Sequence, residues 1–404
     1  MFRFFILTFI TCISLNANIL QDAINKAKPG STIKLDSGIY QGNITINKAL
    51  TIIGKSDNVI IDGLNKNTVI NITSSNVILK NLTIINSGNR MDKIDAGIKI
   101  SNSSNSVISN CTIKNTLYGI EMAMVTNSII ENNKISSKDV DISLKGDALK
   151  LYYSNNNKIR NNEIYNSRDT TFAYSHKNIF SQNHIERSRF ALHIKKSNTN
   201  TIEDNHIIAN SVGLIFAGAK KTTVQNNIIT NSNGKAGIAV LVKGVSDFRF
   251  KDNTLKYNNK AFYIDAKHNE TEIKRFFTNN DISYNNEAFH FHGAIKQNLI
   301  KNNTINGNIE DVVKSVRGNT TSKNIVENNY WDKYAGFDTD GNNIGDTSYK
   351  MYQYADRLWH YNNRVKFFYA TPIISIINFI LNLAPFIEPV LLLEDKKPLL
   401  YVGS

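Results

Sequence analysis

Ile179-Phe180-Ser181-Gln182-Asn183-His184-Ile185, Thr201-Ile202-Glu203-Asp204-Asn205-His206-Ile207 and Thr223-Val224-Gln225-Asn226-Asn227-Ile228-Ile229 are three copies of one phrase. Each runs from an apolar residue through a turn pair ending in Asn to an Ile two places later. Aligning the chain on this phrase places Asn or a substitute at 82, 111, 133, 162, 183, 205, 227, 253, 280, 303 and 329. Only Leu82 and Cys111 depart from Asn, and successive positions lie 21 to 29 residues apart. A second register runs beside it, a small residue followed by apolar-x-apolar, as in Gly213-Leu214-Ile215-Phe216, Gly237-Ile238-Ala239-Val240 and Ala288-Phe289-His290-Phe291. Period-two strands with turns at this spacing predict an all-β, right-handed parallel β-helix of about 11–12 coils.

The composition agrees. Of 404 residues, 59 are Asn and 55 Ile, so over a quarter of the chain is a residue that tolerates left-handed turns and a stiff β-branched strand former. A helical bundle is excluded. A single coil cannot make a core, but stacked coils bury their Ile, Leu, Val and Phe in one continuous interior. Asn at the same turn of successive coils can form an amide ladder along the stack. At about 4.8 Å per coil the rod is roughly 55 Å long.

Residues 1–17 read as a signal peptide, with Arg3, an apolar run from Phe4 to Ile13, and Leu15-Asn16-Ala17 as cleavage site. Cys111 is then the lone cysteine, which excludes an intramolecular disulfide. The segment Asn18 to Lys28 reads as an amphipathic helix capping the first coil. Residues 18–329 form the β-helix with this cap, 330–370 a C-terminal cap in which Trp331 closes the stack, and 371–404 an apolar tail. The formal net charge of +13 is scattered along the chain without a basic stripe, which argues against nucleic acid.

Several groups are candidates for chemistry. His184 and His206 share a register position in consecutive coils and Glu163 holds it one coil earlier, so the three stack on the outer surface at a spacing that can hold copper. The alternative is a chance stack. His290 and His292 flank inward Phe291 and form a second outer pair with the same two readings. Met122 and Met124 share the parity of inward Ile120 and are expected in the core. Asp338, Asp340, Asn342 and Asp346, with the carbonyl of Ile344, have the alternate-residue spacing of a calcium loop that lacks its final bidentate Glu; the alternative is a turn fixed by Asx hydrogen bonds. Asp139, Asp141, Asp147 and Arg168 could build the groove of a polysaccharide-active enzyme, or merely a solvated loop.

Residues 372–393 are strongly apolar but interrupted by Pro385, Glu388 and Pro389, and the helical piece at 373–384 is too short to cross a membrane. It reads as a hairpin docking a partner or the membrane surface through Pro372, Ile373, Ile376, Ile377, Phe379, Ile380, Leu383, Phe386, Leu391 and Leu392. A cap folded over the last coil is the alternative.

On these features the chain resembles the NosD family. The resemblance rests on Pro29-Gly30, Gly38-Ile39-Tyr40, Gly42-Asn43, Gly146-Asp147-Ala148, Asn329-Tyr330-Trp331-Asp332, the stretch from Gly336-Phe337-Asp338 to Gly345-Asp346, and the ending with Thr371-Pro372, Pro385, Asp395 and Pro398. It implies a periplasmic, non-enzymatic accessory protein on the outer face of the inner membrane. Its implied partners are the membrane subunit and ATPase of an ABC transporter, a copper chaperone, and the nitrous oxide reductase whose copper-sulfur centre is assembled. The resemblance carries over no copper ligand. The competing expectation is a secreted lyase or epimerase acting on polysaccharide.

Overall fold

The computed structural model describes residues 18–234, 236–266, 274–315, 321–353 and 390–402, together with positions 371, 372, 376, 379 and 380. The signal segment at 1–17 lies outside them. Three parallel sheets of 13, 13 and 12 strands run the length of the described coils, each strand pairing with its counterpart one coil before and one coil after. Strands are short, commonly three to six residues, as in Ile179–Ser181, His184–Glu186 and Phe190–Lys195 of one coil. Their inward residues join one core that runs from Leu20 and Ile24 to Leu392 and Leu393. Ile dominates it at first, and Phe248, Phe250, Phe262, Phe277, Phe289 and Phe291 fill it in the later coils.

The turn phrase works through a division of labour within its pair. The first member, at 132, 161, 182, 204, 226, 252, 279, 302 and 328, holds φ between 55° and 57°, the left-handed geometry that Asn and Asp tolerate best. The second member points inward. From Asn133 to Asn303, each backbone N–H donates to the side-chain Oδ1 of the Asn one coil on, at 2.8–3.1 Å. The side-chain amide also donates back: Asn162 Nδ2 reaches the carbonyl of Ile130 in the preceding coil at 2.9 Å. These amides are buried yet satisfied, which is what makes an Asn tolerable inside a core. Two further ladders, through Asn157, Asn178 and Asn200 and through Asn258, Asn285 and Asn308, were not singled out by the repeat phrase.

The helix Ile19–Lys26 begins on an Asn18 cap and buries Leu20 and Ile24. Gln21 and Thr45 exchange hydrogen bonds, which tie the helix to the strand Ile44–Ile46. At the far end the ladder finishes on Asp395. Its Oδ2 accepts from Asn329 N at 3.2 Å, Asn329 Nδ2 at 2.8 Å and Trp331 Nε1 at 2.9 Å. Asp395 ends the strand Val390–Asp395, which pairs antiparallel with Tyr349–Gln353.

Two expectations need correction. Met122 is buried but Met124 is 54% exposed, because φ of +56° at Met124 turns the chain out of strand alternation. Leu392 of the expected docking surface is buried in the core and Leu391 lies in the same paired strand, so the hairpin spends these residues on closing the rod.

Candidate functional site

The second sheet sets Glu163 opposite His184 and His184 opposite His206. The two imidazoles meet edge to face with centroids 5.3 Å apart. Burial, and next the neighbouring His184, lower the pKa of His206, so its ring is neutral at neutral pH with a lone pair for a metal. Glu163 does not complete the trio. Its carboxylate lies 3.2 Å from Lys134 Nζ, while His184 Nε2 is 3.7 Å from Glu186. Among the described residues no three His, Cys, Asp or Glu side chains gather into a metal-holding group.

The other histidine pair is not the exposed pair expected. His290 is buried, its Nδ1 2.5 Å from Glu287 Oε2 and its Nε2 2.5 Å from Ser315 Oγ. The Tyr263 ring stacks at 4.9 Å on His290 and 5.8 Å on His292. With both ring nitrogens engaged, His290 has no free lone pair for copper, and exposed His292 stands apart from it.

The loop at 338–346 contains the Asx hydrogen bonds of the alternative reading. Asp338 accepts from the N–H groups of Gly341, Asn342 and Asn343, and Asn342 Oδ1 accepts from Ile344 N. Although burial acts to raise the Asp338 pKa, these N–H groups outweigh it and hold the carboxyl below the usual range. Asp340 bonds Asn342, and Asp346 turns away to Thr339.

In the tail, Pro372, Ile376, Phe379 and Ile380 are exposed, the last three at 56%, 62% and 46%. Ile373, Ile377, Leu383 and Phe386 lie outside the described residues. Among the described residues no helix is long and apolar enough to cross a membrane.

The proposed carboxylate groove divides. Asp139 and Asp141 sit exposed on the loop around a 3-10 turn at Ile142–Leu144, where Asp141 caps Ser143. Asp147 and Arg168 instead lie on the outer face of the third sheet beside Asp169, whose carboxylate is clamped by Arg189 through Nε at 2.9 Å and a second, shorter bond. Asp169 and Arg189 escaped the sequence reading because neither belongs to a motif; only the coil register brings them to Asp147.

Residues 37–168 match the model of the right-handed β-helix region, which fixes the class of this protein as a right-handed parallel β-helix. Residues 132–336 match the model of NosD, described as a periplasmic copper-binding protein. That match spans half of the chain, and the chain belongs to the NosD family. No curated relative matches it. Among solved structures it is similar to a hyperthermoactive exopolygalacturonase from Thermotoga maritima, at 13% identity and a TM-score of 0.51, covering 73% of this chain and 86% of that one. It is also similar to a mannuronic acid specific family 6 lyase from human gut microbiota, at 14% identity and a TM-score of 0.54, covering 77% and 84%. Likeness at this identity establishes the fold alone. Proteins that share this solenoid cleave polysaccharides, so the expectation that the chain is not an enzyme is corrected to this extent: the fold gives no ground for it.

Proposed function

We propose that this protein is a periplasmic accessory factor in copper delivery to nitrous oxide reductase, docked on the membrane subunit of an ABC transporter and meeting a copper chaperone or the apo-reductase along its side. The observation that carries this reading is the NosD match over residues 132–336. The neutral His206 imidazole against His184 supports it as a transient two-nitrogen seat for copper, which is cargo here. The exposed Ile376, Phe379 and Ile380 support docking, since apolar side chains left in water mark contact surfaces.

The test is co-purification of the transporter from detergent-solubilised membranes. Deletion of 371–389 should abolish it, while the deletion must spare Val390–Asp395, which close the core. Retention of the transporter by the shortened chain would reject the docking reading. For the copper seat, anaerobic competition with a chromophoric copper(I) chelator should show affinity falling about tenfold in His206→Ala. Equal affinity in wild type and His206→Ala would reject that seat.

A further inference from the structure

The outer face of the third sheet gathers charge and aromatic rings that copper handling does not use. Across neighbouring coils Lys99 is paired in register with Glu121, and Glu121 with Lys150. The one buried carboxylate of Glu121 is shared by both lysines, at 3.1 Å from Lys99 Nζ and 3.9 Å from Lys150 Nζ, which leaves a net positive charge. Lys150 also lies over the Tyr118 ring at 5.8 Å. Arg168 donates to the Lys145 carbonyl at 3.3 Å, but its buried Nε has no hydrogen bond and lies 3.7 Å from Asp169 Oδ2. A cleft lined by Lys93, Lys99 and Arg90, the last bound to Asp95, continues the face toward the first coil.

Beside these cations stands a platform of tyrosines. Tyr152 and Tyr153 are 41% and 47% exposed with centroids 4.6 Å apart, and Tyr153 stacks on Tyr174 of the next coil at 5.1 Å with planes 13° apart. Lys196 of the coil after that covers Tyr174 at 5.6 Å. Tyr153 and Tyr174 hold φ of +48° and +51°. Asn102, Met124, Lys196 and Gly218 hold the same positive φ in other coils, so the turn geometry is common to the register and presents the two rings outward at adjacent coils.

We propose that this face binds an acidic glycan, a linear uronate chain laid along the rod with about one sugar per coil. The coil rise of about 4.8 Å is close to the length of one pyranose unit in such a chain. Tyrosine rings offer flat apolar faces to the C–H faces of sugars while their hydroxyl tips stay wet. The lysines and the partly exposed guanidinium of Arg168 meet the uronate carboxylates. Asp147, half-buried against Asp169, Thr171, Lys150 and Arg168 and near Tyr118, is pushed up to about 6 by burial and by the Asp169 charge. It therefore carries a proton in mildly acid solution and can donate a hydrogen bond to the ligand. This inference does not rest on the copper reading.

Calorimetry on the full-length protein would compare a galacturonate hexamer, a neutral glucose hexamer and polyphosphate of matched charge. The galacturonate hexamer should bind, with the other two at least about tenfold weaker. Tyr153→Ala with Tyr174→Ala should lower galacturonate affinity by about tenfold or more, and Tyr153→Phe should keep it. Melting curves would verify that the double variant is folded. Polyphosphate binding as well as the hexamer would mean only adsorption of an anion to a basic surface, and would overturn the proposal. No heat with galacturonate, or unchanged affinity in the folded double variant, would overturn it too.

Discussion

Two lines of residues run the length of the same rod and could hardly differ more. Along the inner turn, one residue type repeats through Asn133, Asn162, Asn183, Asn205 and onward, each making the same bond to the next. Along the outer face of the third sheet the paired residues read Lys99, Glu121, Lys150, Thr171, His193, Ile215, Leu241, Tyr263, His290 and Val313. Both lines have identical backbone spacing, so stacking alone does not explain the contrast. Where a side chain must satisfy its neighbour above and below, one type fits every coil. Where the coil leaves the position free, variety becomes informative, and that is where ligand chemistry is to be sought.

The sharpest way to break this comparison is to exchange the two lines' roles. Asn227→Ala removes the acceptor of the Asn205 amides and the donor to the Ile202 carbonyl, leaving buried polar groups unpaired. Denaturant unfolding should show a loss of about 3 kcal/mol, whereas Thr171→Ala on the outer face, which gives up one hydrogen bond to Asp147, should lose about 1 kcal/mol. Equal losses would end the distinction. Next in size is Asp395. Asp395→Ala should cost about 2 kcal/mol, and Asp395→Asn, which keeps an acceptor oxygen for Asn329, should restore most of it.

A smaller effect is read against pH. Burial first, then Asp169, raises the Asp147 pKa from 3.8 to about 6, so the folded chain holds this proton more tightly than the unfolded chain. The associated stability is fully present below the unfolded value and is lost as pH rises through about 6. Relative to Asp147→Asn, the wild-type melting temperature should therefore fall between pH 4 and pH 7; a constant difference would mean that Asp147 titrates normally. The smallest expected change is a gain. Tyr153→Asn should relieve the positive φ and stabilise the fold by about 0.5–1 kcal/mol while weakening glycan binding.

The coil count and the ladder were legible because they repeat, and a period of about 22 residues survives the variation around it. What did not repeat was harder to place. Asp395 lies 66 residues from Asn329, so no spacing rule announces that it ends the ladder. Met124 was assigned inward by strand parity, which fails once a residue adopts positive φ. The histidines illustrate both outcomes. Register placed His184 against His206, since parallel pairing is fixed by the core. For His290, register gave the face but not the partners Glu287 and Ser315 that occupy its ring. Asp169 and Arg189 are local neighbours of nothing distinctive, and their clamp appears only when the coils are stacked.

The ladder also has a direction. Every rung from Asn133 to Asn303 donates its N–H toward the C-terminal end, while the strands present both N–H and C=O groups at either tip of the rod. Such a filament is built to polymerise head to tail, since an open tip offers the same bonds to the first coil of another molecule as to its own next coil. The Asp395 carboxylate, which can only accept, stops that growth at one end, and the helix Ile19–Lys26 lies over the first coil at the other. The C-terminal segment thus closes the last described coil with the Asp395 carboxylate on the ladder and with Lys396, Lys397 and Leu399 on the backbone groups beside it.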